Sequence, residues 1–341
     1  MPPSPSRRRW YAAIALLCGV FVLPTLGAPS AGSPPSPSQS STGHEATFLW
    51  AKLARTAKPR GARPFLAGSY WNTPLGRAPL DPQSARYIRD AQVISHSQNY
   101  LQLVLGDWAI PAYESSNADP IYRINPSSGP TVRLHIPSRA RPMATSDAAL
   151  TVRDVTTHQV VALGGARFDP TNHRWTARTV SRYWSTSNGI AQGLPGGTRD
   201  NLGHRGIPGS VQAVMRREIR RGVIRHRLEV YWWETAPQTP TGRKAYFPMT
   251  LSESGHVGTV PEGIVIRIRR SVDLKLVQLT PAAYTVARAL QRYGAVVGDN
   301  SGSGNSMKLQ ANADWTGVLT KDSLKSIPWS DYAFVKGGYR P

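Results

Sequence analysis

The chain has 341 residues, 41 of them Lys or Arg against 20 Asp or Glu, a net charge of +21, and one cysteine, Cys18. One cysteine excludes an intrachain disulfide framework and any multi-thiolate zinc site. The cationic excess predicts attraction to polyanions, whether uronate polysaccharide, wall phosphate polymer, nucleic acid or acidic lipid headgroups, without choosing among them.

Arg7, Arg8 and Arg9 precede the 17-residue apolar stretch Trp10–Leu26, and the small residues Gly27, Ala28, Ser30 and Ala31 follow it. That order predicts a secretory signal peptide over residues 1–31 and a secreted, extracellular or cell-wall-associated protein. An uncleaved membrane anchor is the alternative, but Pro24 interrupts the run and its length is at the lower limit for spanning a bilayer. Ser6–Trp10 is similar to a twin-arginine export pattern and departs from it after the arginines, while Leu17 before Cys18 argues against lipid attachment. Cleavage takes away Cys18, and with it any cysteine nucleophile. It also takes three of the 41 basic residues, leaving 38 against 20 acidic ones, a net +18.

Residues 32–45 are Ser/Pro-rich and read as a tether. Through residue 64 the chain is basic, with Lys52, Arg55, Lys58, Arg60 and Arg63 and no acid after Glu45. Such an arm is either a solvated segment or an electrostatic foot on an anionic polymer or lipid.

A single β-rich domain is expected over residues 65–341. Asp81 followed by Pro82 predicts a short helix. Strand signals then dominate at "YLQLVL" (100–105), "DWAIPAY", "PTVRLHIP", "AALTVRDV", "QVVALGGARF" and "RWTARTVSRYW", with "DPTNH" closing a hairpin between the last two. A helical turn or two is expected near 210–222, and a strand across "GVIRHRLEVYWWET" (222–235). On that strand Ile224, His226, Leu228, Val230 and Trp232 would share one face, and Arg225, Arg227 and Glu229 the other. "IVIRIRR" (264–270) alternates likewise, turning Arg267 and Arg269 away from its isoleucines. Thr280, Pro281 and Gly294 bound a helix. "AVVGD" follows as a strand, "DWTGVLTKDSLKSI" (314–327) as a further short helix and "YAFV" as a last strand. Many short strands, few helices and 29 prolines predict a mainly β fold, an antiparallel β-sandwich of jelly-roll-like form with a few short peripheral helices.

Four groups of residues carry candidate chemistry. His96 lies among Ser95, Ser97, Gln98, Asn99 and Tyr100, a cluster able to seat a sugar or fix an imidazole tautomer, or simply to build a polar turn. Asp200, His204 and Arg205 occupy a glycine-rich loop and form a set fit for acid-base work and oxyanion binding, or for an ordinary surface loop. His226, alone on an apolar strand face, must find a buried partner or open onto a groove, and His96, Tyr100, Asp154 and His204 are candidate partners. Adjacent Trp232 and Trp233 point to opposite sheet faces, so one can pack while the other offers a stacking platform. "GDNSGSGN" (298–305) begins like a calcium loop, but Gln310 stands where the bidentate glutamate belongs, so no metal or other cofactor is expected. The chain has no Gly-x-Ser-x-Gly, Walker A, His-Glu-x-x-His or dinucleotide fingerprint.

The stretches "GSYWNTPLG…DPQSARYI", "GVIRHRL" and "ALQRYGAVVGDNSG" resemble a group of secreted, mostly actinobacterial β-sandwich proteins, over most of the chain after residue 65. The resemblance implies a sandwich of carbohydrate-related type and brings no catalytic residues with it.

The preferred expectation is a secreted carbohydrate-active protein working on an anionic polysaccharide; as a lyase it would use His226 or His96 to remove a proton and Tyr100 to protonate the leaving oxygen, with His204 a further candidate catalytic residue. Asn99, Trp232 and Trp233 would help bind substrate. Arg225 or Arg227 would neutralise the uronate; because they face away from His226 on a regular strand, Arg267 and Arg269 are the alternatives. A non-catalytic wall or glycan binder and an exported nucleic-acid binder or nuclease are the competing readings.

Overall fold

The computed structural model describes residues 63–94, 98–302 and 304–341, all within one unit spanning Leu53–Pro341. The expected leader and all of the expected tether but Arg63 and Pro64, and His96 with its neighbours Ser95 and Ser97, lie outside the described residues. Among the described residues no helix is long and apolar enough to cross a membrane.

Helix α1 (Ser84–Ile94) leads into β1 (Gln102–Val104), β2 (Ala112–Ser115), β3 (Ile121–Ile124), β4 (Val132–His135), β5 (Leu150–Asp154) and β6 (Gln159–Gly164). The short hairpin β7 (Arg167–Asp169) and β8 (Arg174–Thr176) precedes β9 (Thr179–Trp184). After a long loop and α2 (Arg216–Arg220) come β10 (Leu228–Trp232), β11 (Thr235–Ala236), β12 (Val260–Pro261) and β13 (Val265–Ile268). Helix α3 (Pro281–Arg292), β14 (Ala295–Asn300), β15 (Ser306–Lys308) and β16 (Tyr332–Val335) complete the order. Strand outweighs helix, 26% to 14%, so the fold is mainly β with few helices, and it includes a curled, half-barrel sheet.

The expected caps are in place. The Asp81 carboxylate accepts from the backbone N–H of Gln83 at 2.9 Å, and Thr280 Oγ1 accepts from Ala283 at 3.2 Å. The Asp169 carboxylate, accepting from Thr171 and Asn172, closes the β7–β8 hairpin.

Pairing departs from the antiparallel expectation. The larger sheet runs β1-β15-β10-β14-β13-β16 and the second β2-β5-β6-β9, and both are mixed. Parallel pairs β1/β15, β10/β14 and β2/β5 stand beside antiparallel ones. Parallel neighbours need long crossovers, and the one from β10 to β14 contains β11–β13 and α3. Two other elements also differ. Residues 314–327 form turns rather than a helix, and Gly317, at φ 67 within the Trp315–Val318 turn, takes the chain out of helical conformation there. The strand expected over 222–235 is regular only from Leu228 to Trp232.

Strand alternation sets the layers. Leu228, Val230 and Trp232 join Leu103, Ile266, Ile268, Val297 and Phe334 beneath α1 and α3. From the opposite face Val265, Val296 and Val335 meet Val160 and Tyr183 of the four-stranded sheet, with Trp71 and Ile207. The far side of that second sheet packs Val152, Val161 and Val180 against Ile124, Leu134 and Trp175. Glu229 and Tyr231, alternating with the apolar residues of β10, share the Val296 face and so look toward the second sheet.

Arg227 ties the entry of β10 to the rest. Fully buried, its guanidinium donates to the carbonyls of Tyr293 (2.9 Å), Tyr70 (2.6 Å) and Thr73 (3.2 Å), and it lies 3.9 Å from the Tyr70 ring centroid. One side chain thereby joins the segments around residues 70, 227 and 293. Replacing it with Ala leaves three carbonyls without a donor, so Arg227→Ala is expected to lower unfolding stability by about 3 kcal/mol or more, read as a shifted urea midpoint. An unchanged midpoint would contradict this role.

Candidate functional site

A cleft of about 370 Å³ opens between the two larger sheets. One wall carries Thr151, Ala162 and Ser181 from β5, β6 and β9; the other carries Tyr231, Asp299 and Lys308 from β10, β14 and β15. His204 and Arg205 enter on a loop, and Glu253 lies nearby.

The loop backbone is unusual. Gly203, His204, Arg205 and Gly206 all have positive φ, at 94°, 42°, 49° and 109°. For the two non-glycine residues this conformation is costly, and such strain persists only where surrounding contacts impose it. The glycines are sterically required. A Cβ on Gly203 would lie 2.6 Å from Ser181 Cβ, and one on Gly206 2.3 Å from the Pro248 carbonyl oxygen.

Arg205 supplies the restraint. Its guanidinium pairs with Asp299, lies 3.3 Å from Glu262 and 3.8 Å from Glu253, and donates to the Gly298 carbonyl. Asp299 faces Arg205 because β14 bulges: Val230 pairs with Val297 but Tyr231 pairs with Asp299, so Gly298 is the extra residue and Asp299 turns toward the cleft. Burial pushes the Asp299 carboxyl up, but His204 and Arg205 outweigh it and hold the group below its usual range. Burial also raises Glu262, to about 7 despite Arg205. Oxygens of Glu253, Glu262 and Asp299 lie within 4.8 Å of one another, a spacing that suits a metal ion. The Arg205 guanidinium contacts all three and supplies the positive charge there.

Behind His204 lies Glu229, whose side chain has no solvent exposure. Tyr231 donates to Glu229 Oε2 at 3.0 Å. Glu229 Oε1 and His204 Nε2 are 3.7 Å apart, beyond hydrogen-bond length, and both are buried without a partner. Burial opposes a charged imidazole, but Glu229 and Asp299 outweigh it and raise the affinity of His204 for its proton. Burial, reinforced by the same two carboxylates, keeps the Tyr231 hydroxyl protonated far above its ordinary range. Lys308 Nζ sits 4.1 Å from the Tyr231 ring centroid, and burial lowers its pKa against the pull of Glu229, Asp299 and Asp147.

The cleft therefore unites a histidine, a protonated phenol and a lysine around one buried carboxylate. No protein family, characterised protein or solved structure matches the chain at a significant level.

Of the residues singled out from sequence, His204 and its neighbour Arg205 are in this cleft, as is Asp299 of the calcium-like loop, and the other described candidates are elsewhere. His226 is 2% exposed and bonded to Glu218 Oε1 at 2.9 Å and the Arg227 carbonyl at 2.8 Å, so both ring nitrogens are satisfied within the core. The expected partners do other work: Asp154 holds His135 at 2.8 Å, and Tyr100 donates to Asp322 at 2.7 Å near the surface. Asn99 is exposed and its carbonyl accepts from Trp329. Asp200 lies 3.8 Å from Arg182, not beside His204.

Trp232 is buried edge-on against Trp329 and Phe334, which rules it out as a stacking platform. Partly buried Trp233 donates its backbone N–H to Asn305. Arg227 and Arg267 are buried structural donors, Arg267 to the carbonyls of Ile268, Gly76 and Gln291, so neither is a free cation for substrate. Arg269 donates to the Ser330 carbonyl, and Arg225 lines a separate surface groove.

Glu229, Tyr231 and Lys308 were not among the candidates offered by the sequence, and Asp299 was considered there only as the first position of a calcium-like loop. The available signal was a glutamate inside the short apolar strand "LEVYW". Gly298 is the steric counterpart of Glu229: a Cβ there would lie 2.3 Å from Glu229 Oε1. Gly298→Ala should destabilise the fold by about 1–3 kcal/mol in thermal denaturation, whereas Gly302→Ala, with nothing within 4 Å of the added carbon, should be silent. Equal effects at the two glycines would contradict the packing of Glu229.

Proposed function

We propose that the chain is a carbohydrate-active enzyme that cleaves an anionic polysaccharide by β-elimination in this cleft. The observation that carries the reading is the buried Glu229 carboxylate flanked by His204 and Tyr231. Export directed by the N-terminal sequence would deliver the protein to such polymers outside the cell. The two larger sheets act in this reading as the halves of a sandwich-like scaffold around the cleft.

The chemistry divides among three side chains. Lys308 neutralises the uronate carboxylate and makes the neighbouring C–H more acidic. His204, turned by Glu229, accepts that proton; the released electron pair forms the C=C bond as the glycosidic C–O bond breaks. Tyr231 gives its proton to the departing oxygen, and Glu229, already its acceptor, stabilises the position of the hydroxyl. The lysine on β15, beside β10, takes the part expected of Arg267 or Arg269. Contacts that are long without substrate tighten when it binds, which suits the 3.7 Å gap at His204.

The test is incubation of the protein with a panel of uronate polymers while following the ultraviolet absorbance of the conjugated double bond. His204→Ala, Tyr231→Phe and Lys308→Ala should each reduce kcat by about 10²–10⁴-fold, and Lys308→Ala should also raise KM. A general base must be neutral, so the rate should rise with pH through the raised pKa of His204, above its ordinary value of 6.5. Absence of unsaturated product across the panel would overturn the proposal.

A further inference from the structure

A second charged surface lies along α3, whose buried Val286, Ala287 and Leu290 pack on the face of the larger sheet opposite the cleft. Three adjoining depressions of about 350, 320 and 300 Å³ share Arg288, and the first two also share Arg292. Arg63 and Arg225 line one end; Arg270 and Lys275 line the other. Arg63, Arg270, Lys275, Arg288 and Arg292 are exposed. Among the described residues none of these six cations is in a salt bridge; Arg288 donates only to the neutral Gln291. Asp273 is the one acid lining the three depressions.

Two like charges four residues apart on a helix repel and weaken it. Arg288 and Arg292 are so placed, with further cations at each end of the row. An anion laid along the helix would relieve that repulsion, and guanidinium groups match carboxylates in a two-pronged geometry. Along the helix axis the two arginines are about 6 Å apart, on the scale of one sugar in an extended chain. Single-stranded nucleic acid asks for free aromatic faces on which bases stack. The aromatic residues here are unsuited to that: Tyr293 is 4% exposed and faced by Arg292, and Tyr284 packs against the core.

We infer that the arginine row along α3 is a non-catalytic binding groove for a linear carboxylated polysaccharide, separate from the cleft. The naming of the polymer rests on the function proposed for the cleft, whereas the groove itself does not.

The experiment measures binding of the full chain to polygalacturonate, to a single-stranded oligothymidylate of equal charge and to neutral dextran, at low and high salt. The wild type, the exposed double variant Arg288→Gln/Arg292→Gln, and Arg167→Gln, an exposed arginine of β7 outside the groove and the cleft, are compared. The double variant should bind polygalacturonate about tenfold more weakly, the loss of two exposed charge contacts, with a shallower salt dependence. Arg167→Gln should bind as the wild type does. Groove-dependent binding without turnover would sink the lyase and leave the groove standing. Wild-type affinity in the double variant, or tighter binding of the oligothymidylate, would overturn the groove.

Discussion

A carboxyl group buried on the inner face of the larger sheet sets the terms for everything around it. Glu229 sits on a strand whose other face is apolar, with no solvent contact and one firm hydrogen bond, from Tyr231. A buried charge needs compensation or stability suffers. The neighbouring strand makes room by placing Gly298 beside it and bulging there, and the bulge turns Asp299 toward Arg205. Arg205 then holds the left-handed loop that brings His204 to Glu229. Removing any one link leaves another charge or a strained backbone without its support.

Two arginines divide the labour in this fold. Arg227 receives only neutral partners, the carbonyls of three distant segments and an aromatic face, and burial pulls its pKa down. Arg205 receives carboxylates, which more than offset burial and raise its pKa. The first joins segments whose job is to pack; the second organises groups aimed into a cleft. The stretches "GSYWNTPLG", "GVIRHRL" and "ALQRYGAVVGDNSG" make sense in these terms. All three contribute to the Arg227 junction, and the third also supplies Gly298 and Asp299.

Much of the local structure was legible in the residues. Thr280, Pro281 and Gly294 bounded a helix now seen at Pro281–Arg292, and Asp169 marked a hairpin. Local rules sufficed there because capping and turn bonds form between near neighbours. Strand order was not legible, since parallel pairing such as β1 with β15 depends on packing across two hundred residues. His226 drew attention to the apolar face of its strand, whereas Glu229 and Tyr231, on the other face, are the residues that meet His204 at the cleft. The bulge at Gly298, which no alternation pattern encodes, hid the turn of Asp299 toward Arg205. His204 was found because a histidine in a glycine-rich loop is conspicuous, yet its partner is remote in sequence.

The central claim is that Glu229 governs the proton affinity of His204, and NMR titration of the His204 ring tests it directly. In the wild type the midpoint should lie above the ordinary 6.5, and in Glu229→Gln, where burial persists and the attracting charge is gone, it should fall markedly. The same midpoint in both proteins would contradict the account.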